Sequence, residues 1–489
     1  MTKYILCFSR SYLSSFLPQL AALGDEFTPL HIVQNSAEQR RIEATNQQVV
    51  MNLETLSKKA LRDPDAPLWR EPDDMRTLTG FDWSPIYADR YLPTFPEPDR
   101  LKIAGAIQTR LEQIFAEFRV SGVLSEPVAL FPTHYLFYLC KRTGAKSLLW
   151  ANTYFPGYFY FTDAVHLTHP SHPAPKPVST GNAPGQAIRT YVERVAADKA
   201  GPVYHHKFAR ERQGSLNYLR QRRGEDALIL TPGLASQTMQ FARYMRARTI
   251  RTLFPRIGDY MIAGAADEHW FYLRNLLGRI SRYDTPTSQF DRGNVFFPLQ
   301  YEPEASLLYA APDFRNQISL VETILQTLPA GHTLWVKEHP NQFGVLSRGV
   351  WRKLRKRYHN LRLVYGRENG RHLIQQCGLA VTITSTAGMD ALILGRKCLV
   401  LGDVFFESFP DAIQVKSNAA LAQALNDPDN YRNENHAGDL DGIADALRTF
   451  AASCYPGDPQ PAPELMNPEN MRALYDAVNA HLASDPVSG

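Results

Sequence analysis

The chain has 489 residues, of which 44% are hydrophobic and 21% charged, with a formal net charge of +4. That length exceeds one ordinary hydrophobic core and predicts two domains, and the composition is that of a globular protein, not a disordered or fibrous one. A charge so near zero gives no general reason to expect nucleic acid, so where the basic residues sit matters more than how many there are.

The chain opens on Tyr4–Phe8, which reads as a short buried strand. Ser9 and Arg10 end it and Pro18 falls in the next segment, so the stretch lacks the form of a secretory signal. No run approaches the roughly 20 apolar residues that a membrane span requires, and a cytoplasmic location is expected. Further strands are predicted at Leu30–Val33, Gly122–Leu124 and Ser147–Trp150, with helices at Ile103–Phe118 and Thr133–Arg142. Residues 55–100 and 152–225, rich in Pro, Tyr, Phe and charge, read as loops and insertions, where acceptor specificity is often built.

A polar stretch, Tyr283 to Ser288, predicts a boundary near residues 285–292. Beyond it the rhythm is clearer. Strands are predicted at Val295–Leu299, Thr333–Lys337, Leu361–Tyr365, Leu379–Thr384 and Cys398–Leu401. Helical patterns lie at Phe314–Leu328, Val345–Tyr358, Asn369–Cys377, Ala387–Leu394 and Ala419–Leu425. Short apolar strands alternating with amphipathic helices indicate a parallel sheet covered on both faces. The expected fold is α/β: two Rossmann-like, doubly wound domains facing a central cleft, with ligands at the carboxyl ends of the strands. The expected divisions are 1–288, 289–465 and a C-terminal helix within 466–489 that folds back on the first domain. Cys7, Cys140, Cys377, Cys398 and Cys454 form no CxxC pair and read as buried thiols, so no zinc site is expected.

Two stretches carry chemistry. Lys337-Glu338-His339-Pro340 ends the Thr333–Lys337 strand, and Pro340 favours an extended His339. An imidazole there can donate to a phosphate and, as the cation, offset leaving-group charge. Thr384-Ser385-Thr386-Ala387-Gly388 follows another strand and opens a helix, where hydroxyls and backbone N–H groups suit an anion and Gly388 would admit a phosphate. Asp390, one turn further, is placed to accept from ribose hydroxyls. Taken singly, each stretch has an ordinary explanation, a strand-end turn for the first and a helix cap for the second. Together they end two strands of one sheet. No GxGxxG or Walker loop is present and no Asp-x-Asp ends a strand. A metal-free nucleotide site with His and hydroxyl donors suits a sugar nucleotide, particularly a monophosphate such as a CMP-sugar.

At this point the sequence resembles a known family. Phe296-Phe297-Pro298-Leu299-Gln300-Tyr301-Glu302-Pro303-Glu304, then Lys337-Glu338-His339-Pro340, then Ser385-Thr386-Ala387-Gly388-Met389-Asp390-Ala391-Leu392 look like the ordered motifs of bacterial capsule polysaccharide biosynthesis proteins. These include the retaining β-Kdo transferases of GT-B type, which use CMP-β-Kdo. The resemblance covers roughly residues 290–405 and implies that His339, Pro340, Ser385 and Thr386 bind CMP and that Gln300 lines the cleft. Asp390 stands where Glu is more usual in the family.

Retaining transfer of this kind calls for a carboxylate nucleophile and an acid/base group. Glu126, in Leu124-Ser125-Glu126-Pro127 at the end of a strand and among apolar neighbours, is the candidate acid/base. Asp163, in Tyr160-Phe161-Thr162-Asp163, is the candidate nucleophile. His134, His166 and His169 read as structural. The stretch Tyr204 to Arg256 is basic, and Arg348, Arg352, Lys353, Arg355, Lys356 and Arg357 form a second cluster beside Trp351 and Tyr358. Such patches suit solvent, an acidic glycan or anionic lipid at the inner face of the inner membrane; no nucleic-acid module accompanies them. The expected partners are a sugar-nucleotide donor and a glycan or glycolipid acceptor. A UDP- or GDP-sugar transferase, inverting or retaining, and a non-catalytic polysaccharide-assembly protein stay open.

Overall fold

A computed structural model describes residues 3–153, 157–166, 183–197, 283–302, 304–339, 348–366, 368–431, 440–460 and 463–484, with isolated positions between them. Nearly all of the basic stretch Tyr204 to Arg256, together with His169 and Pro340, lies outside the described residues.

Among the described residues the strands form two sheets. The first contains β1 (Tyr4–Phe8), β2 (Thr28–Val33), β3 (Gln48–Asn52), β4 (Val120–Ser125), β5 (Lys146–Asn152), β6 (Tyr158–Thr162) and β13 (Tyr455–Pro456). Its order is β13-β6-β5-β4-β1-β2-β3, parallel from β3 to β5 and antiparallel at β6 and β13. The second contains β7 (Asp291–Pro298), β8 (Thr333–Lys337), β9 (Leu361–Val364), β10 (Cys377–Thr382), β11 (Lys397–Val400) and β12 (Ala412–Gln414), ordered β12-β11-β10-β7-β8-β9 and parallel throughout. Both are Rossmann-like orders, with the chain reversing direction across the sheet between β1 and β4 and again between β7 and β10. At those two switch points adjacent connections depart to opposite faces, which opens a crevice at the carboxyl edge.

Local sequence explains the elements. All six residues of β10 are buried, as a central parallel strand covered on both faces requires. β3 and β12 were not predicted because they are edge strands: only Val50 and Met51 of β3 are buried, and no residue of β12 is. The helix Glu97–Glu117 starts six residues before the predicted Ile103, since Pro98 is favoured in the first turn and Glu97 and Asp99 suit the positive helix end. The stretches 55–100 and 152–225 are not simply loops. The first carries most of the helix Leu53–Arg62 and the short helices Met75–Thr79 and Pro85–Ala88; the second carries β6 and the helix Ala183–Ala196. Helical periods are present, with Leu53, Leu56, Ala60 and Leu61 in one helix and Ile188, Val192 and Val195 in the other, but they stand among many Pro and charged residues that read as loop.

The chain crosses between the two domains more than once. Ile188, Val192 and Val195 of the helix Ala183–Ala196 pack with Ile443, Ala444 and Leu447 of the helix Leu440–Ala451 in the core of the second sheet, although 183–196 falls within the expected first division. Conversely β13 has already returned to pair with β6, Tyr455 facing Phe159, before residue 466. The last helix, Pro468–Ala483, lays Met471, Leu474, Tyr475, Ala477 and Val478 against Ile5, Cys7, Leu13, Phe16 and Leu17 of the first domain. At about 1.5–3 kcal/mol for each large apolar side chain removed from water, that face binds the helix firmly. All five cysteines are buried and unpaired. No helix among the described residues is long and apolar enough to cross a membrane.

Candidate functional site

The register of the second sheet places the motif residues. Pro298 pairs with Lys337, and Phe296 pairs with Ala380. Carrying each strand onward brings Gln300, His339 and Thr384 to one level of the carboxyl edge, on the neighbouring strands β7, β8 and β10. The β7–β10 switch point lies among them.

Gln300 is a clasp between two of these strand ends. Its Oε1 accepts from the Thr384 N–H at 3.0 Å and its Nε2 donates to Thr384 Oγ1 at 2.7 Å. Its own backbone is held by Gln317, whose Nε2 donates to the Gln300 carbonyl at 3.0 Å and whose Oε1 accepts from the Gln300 N–H at 2.6 Å. Both ends of its side-chain amide are therefore engaged within the protein, and Gln300 positions the Thr384–Ser385 turn. Gly402 completes the fit behind that turn, since a Cβ there would lie 2.4 Å from Thr384 Cγ2.

Ser385 is the N-cap of the helix Thr386–Ile393, its Oγ accepting from the Ala387 N–H at 3.2 Å. Thr382 Oγ1 accepts from the Ser385 N–H at 3.0 Å. Thr386 is the first helical residue, so its N–H has no acceptor within the helix. His339 stands beside Tyr301, with ring centroids 5.8 Å apart and the rings edge to face.

Three expected contacts are corrected. Gly388 is buried, and a Cβ there would meet Thr382 and the Phe406 ring at 2.7–3.0 Å; its small size serves helix packing, not the approach of a phosphate. Lys337 is buried and donates to the Gly366 carbonyl at 2.6 Å, tying the end of β8 to the turn after β9 instead of reaching a nucleotide. Burial pushes its ammonium down to about 8. Asp390 forms an ion pair with Arg371, whose Nη2 donates to Oδ1 at 3.2 Å while Nε lies 3.2 Å from Oδ2, and the pair joins the helices Gly370–Gln375 and Thr386–Ile393.

In the first domain Glu126 directly follows β4 and lies at the β1–β4 switch point. Its neighbours are polar, contrary to expectation. Arg10, two residues past β1, places Nε 3.7 Å from Oε2, and the Tyr12 hydroxyl donates to Oε1 at 3.3 Å. Burial and the Glu126 charge together raise the Tyr12 phenol well above its ordinary range. Asp163 does not join this group. Because β6 runs antiparallel, with Thr162 paired to Leu149, the residue after it faces back along β5. Its carboxylate accepts from Ser147 Oγ and from Lys141 Nζ, the latter at 2.7 Å, near the last turn of the helix Phe131–Thr143. The stretch before Asp163 reads as loop, so neither the strand nor its direction is legible in the sequence.

His134 is fully buried between Phe81 and Tyr309, and burial pushes its imidazole down to about 3, the neutral form. His166 Nδ1 lies 2.9 Å from the Tyr309 carbonyl and 3.3 Å from Asp403 Oδ2, linking the two domains where the loop after β11 begins. Glu302 escaped the sequence reading although it stands inside the first motif. Burial raises its carboxyl above the usual range, and its Oε1 accepts from Gln317 Nε2 at 2.6 Å. In the basic helix Arg348–Arg357, Arg355 is engaged by Asp284 at 2.7 Å and Arg357 by Glu322 at 3.1 Å, while Arg352, Lys353 and Lys356 are exposed.

The family described as "Capsule polysaccharide biosynthesis protein" matches residues 235–411, less than half of the chain but all of the motif region. The chain resembles that family. Among solved structures it is similar to the β-Kdo 2,7-transferase KpsC of Thermosulfurimonas dismutans, at 16% identity and a TM-score of 0.24, over 42% of this chain and 59% of that one. It is also similar to a glycosyltransferase of Rickettsia africae, at 9% identity and a TM-score of 0.31 over 99% and 100% of the two chains. A third similarity is to the UDP-GlcNAc 2-epimerase of Neisseria meningitidis, at 10% identity and a TM-score of 0.26 over 92% and 98%. The chain thus spans under two thirds of the KpsC structure it matches. Among curated proteins none matches the chain in sequence.

Proposed function

We propose that this protein is a glycosyltransferase of bacterial capsule or other surface polysaccharide synthesis, using a CMP-sugar, CMP-β-Kdo in particular, with retention of configuration. The observation that carries the reading is the common level of Gln300, His339 and Thr384 at the β7–β10 switch point. In this reading His339 and the Ser385–Thr386 helix start hold the CMP phosphate, and the helix dipole favours its charge. As the glycosidic bond to phosphate breaks, charge builds on the leaving CMP, where an imidazolium and N–H donors stabilise it without a metal. Gln300 and Asp390 act behind the site, one on the turn and the other on the helix. Glu126 is the acid/base group, its carboxylate oriented by Arg10 and Tyr12. The protein works in the cytoplasm, and the basic helix Arg348–Arg357 suits contact with anionic lipid at the inner face of the membrane.

The test is nucleotide release from CMP-β-Kdo, with CMP-sialic acid, UDP-sugars and GDP-sugars alongside and a panel of glycan acceptors. CMP at 100 times its Kd should add about 2.7 kcal/mol of stability, and His339→Ala should weaken that effect. NMR of the product reads the anomeric configuration. Stabilisation by UDP or GDP but not CMP overturns the donor assignment, and an inverted product overturns retention.

A further inference from the structure

Few large apolar side chains are exposed among the described residues, and two of them are four positions apart: Trp83, 38% exposed, and Tyr87, 51% exposed. Trp83 precedes Ser84, the N-cap of the single helical turn Pro85–Ala88, and Tyr87 lies within that turn. A guanidinium lies over each ring, that of Arg315 at 5.1 Å from the Trp83 centroid and that of Arg100 at 5.1 Å from the Tyr87 centroid. Neither arginine forms an ion pair among the described residues. Two exposed rings four residues apart therefore each carry a guanidinium that makes no ion pair among the described residues.

The platform is held rigidly from below. Phe81, Ile86 and Ala88 are buried. Asp89, 2% exposed, accepts from the N–H groups of Tyr91 and Leu92 at 2.6 and 2.9 Å and from that of Phe131 at 2.7 Å. Phe131 opens the helix that follows Glu126, so the platform is fixed to the segment bearing that carboxylate. It also spans both domains. Phe81 packs on Tyr309 at 5.1 Å, and Arg315 itself comes from the second domain.

We infer that Trp83, Tyr87, Arg100 and Arg315 form a binding platform for a carboxylate-bearing oligosaccharide, the acceptor of the proposed transfer. The chemistry fits piece by piece. A pyranose ring presents an apolar C–H face that an aromatic edge or face receives, while its hydroxyls remain in water. A guanidinium offers two parallel N–H donors that match a carboxylate, and stacking on a ring fixes its plane before the ligand arrives. Rings stiffened by a buried base lose little entropy when they bind. Two such ring–guanidinium units in succession suit a chain of sugars more than a single one.

The inference rests on the glycosyltransferase reading for the word acceptor, but the binding itself is measured without donor. The experiment is titration of the full chain with an α-linked Kdo disaccharide and with neutral maltotetraose, by calorimetry and saturation-transfer NMR, alongside a CMP thermal-shift assay. The disaccharide should bind and maltotetraose should not. Trp83→Ala and Tyr87→Ala should each weaken binding by at least about tenfold, as truncation of an aromatic anchor does. Arg315→Ala and Arg100→Ala, which remove no buried group, should weaken it several-fold with unchanged thermal stability. The CMP shift should persist in all four variants. Absence of disaccharide binding, equal binding of maltotetraose, or undiminished binding in the variants overturns the platform. A missing CMP shift in the parent protein that still binds the disaccharide overturns the donor assignment alone.

Discussion

Deleting the Gln300 side chain tests how the site is held. In Gln300→Ala the Thr384 N–H loses the acceptor 3.0 Å away and its hydroxyl loses the donor 2.7 Å away. Both residues are less than a tenth exposed, so water cannot readily replace either bond. A stranded buried N–H costs about 1–3 kcal/mol, and the lost hydroxyl bond with its packing adds about 1 kcal/mol. The expected loss is therefore about 2–4 kcal/mol. A cycle with Thr384→Val separates the parts. That partner removes only the hydroxyl, so its coupling to Gln300→Ala should be about 1 kcal/mol, with the remainder surviving in the valine background. Urea unfolding supplies the free energies, provided the m value of the transition is unchanged. CMP affinity should fall in step, since the Ser385 turn is no longer pinned. A loss below about 0.5 kcal/mol for Gln300→Ala, or zero coupling, refutes the clasp, because it would mean that Gln300 faces solvent or ligand.

Other consequences follow from particular side chains. Lys337 is pushed down to about 8 in the fold against about 10.4 unfolded. Between those values the unfolded chain binds the proton that the folded one has released, so stability rises with pH across that window, by about 3 kcal/mol in order of magnitude. Lys337→Met removes that rise; a stability difference between the two proteins that stays flat from pH 7 to 10.5 contradicts it. Arg371 and Asp390 are 7% and 17% exposed at their side chains. Removing either alone should cost about 3–5 kcal/mol, while the apolar double change Arg371→Met with Asp390→Leu recovers much of that in denaturant unfolding; additive losses would sink the pairing. Asp163 is 45% exposed beside Lys141, so Asp163→Asn should cost under about 1 kcal/mol and leave sugar transfer within about twofold. A fall of several orders of magnitude would restore it as the nucleophile.

The sequence by itself determined the α/β class, the central strands and the placing of the motif residues at strand ends. β10 is buried along its whole length and Lys337 ends β8 as predicted, because a strand covered on both faces must be continuously apolar and the residues just past its end are released from that demand. Edge strands such as β12 have no such constraint and left no pattern. Only the tertiary structure decided what each strand-end residue does. Register and strand direction are long-range properties: the parallel pairing of β7, β8 and β10 gathers Gln300, His339 and Thr384, while the antiparallel turn of β6 carries Asp163 away from Glu126. Partners were equally hidden, since nothing local announces that Asp390 will meet Arg371 or that Gly388 makes room for Phe406. The aromatic platform stood in a stretch read as loop, because Trp83 and Tyr87 follow no period; their meaning comes from Arg100 and from Arg315, more than 200 residues away in the other domain.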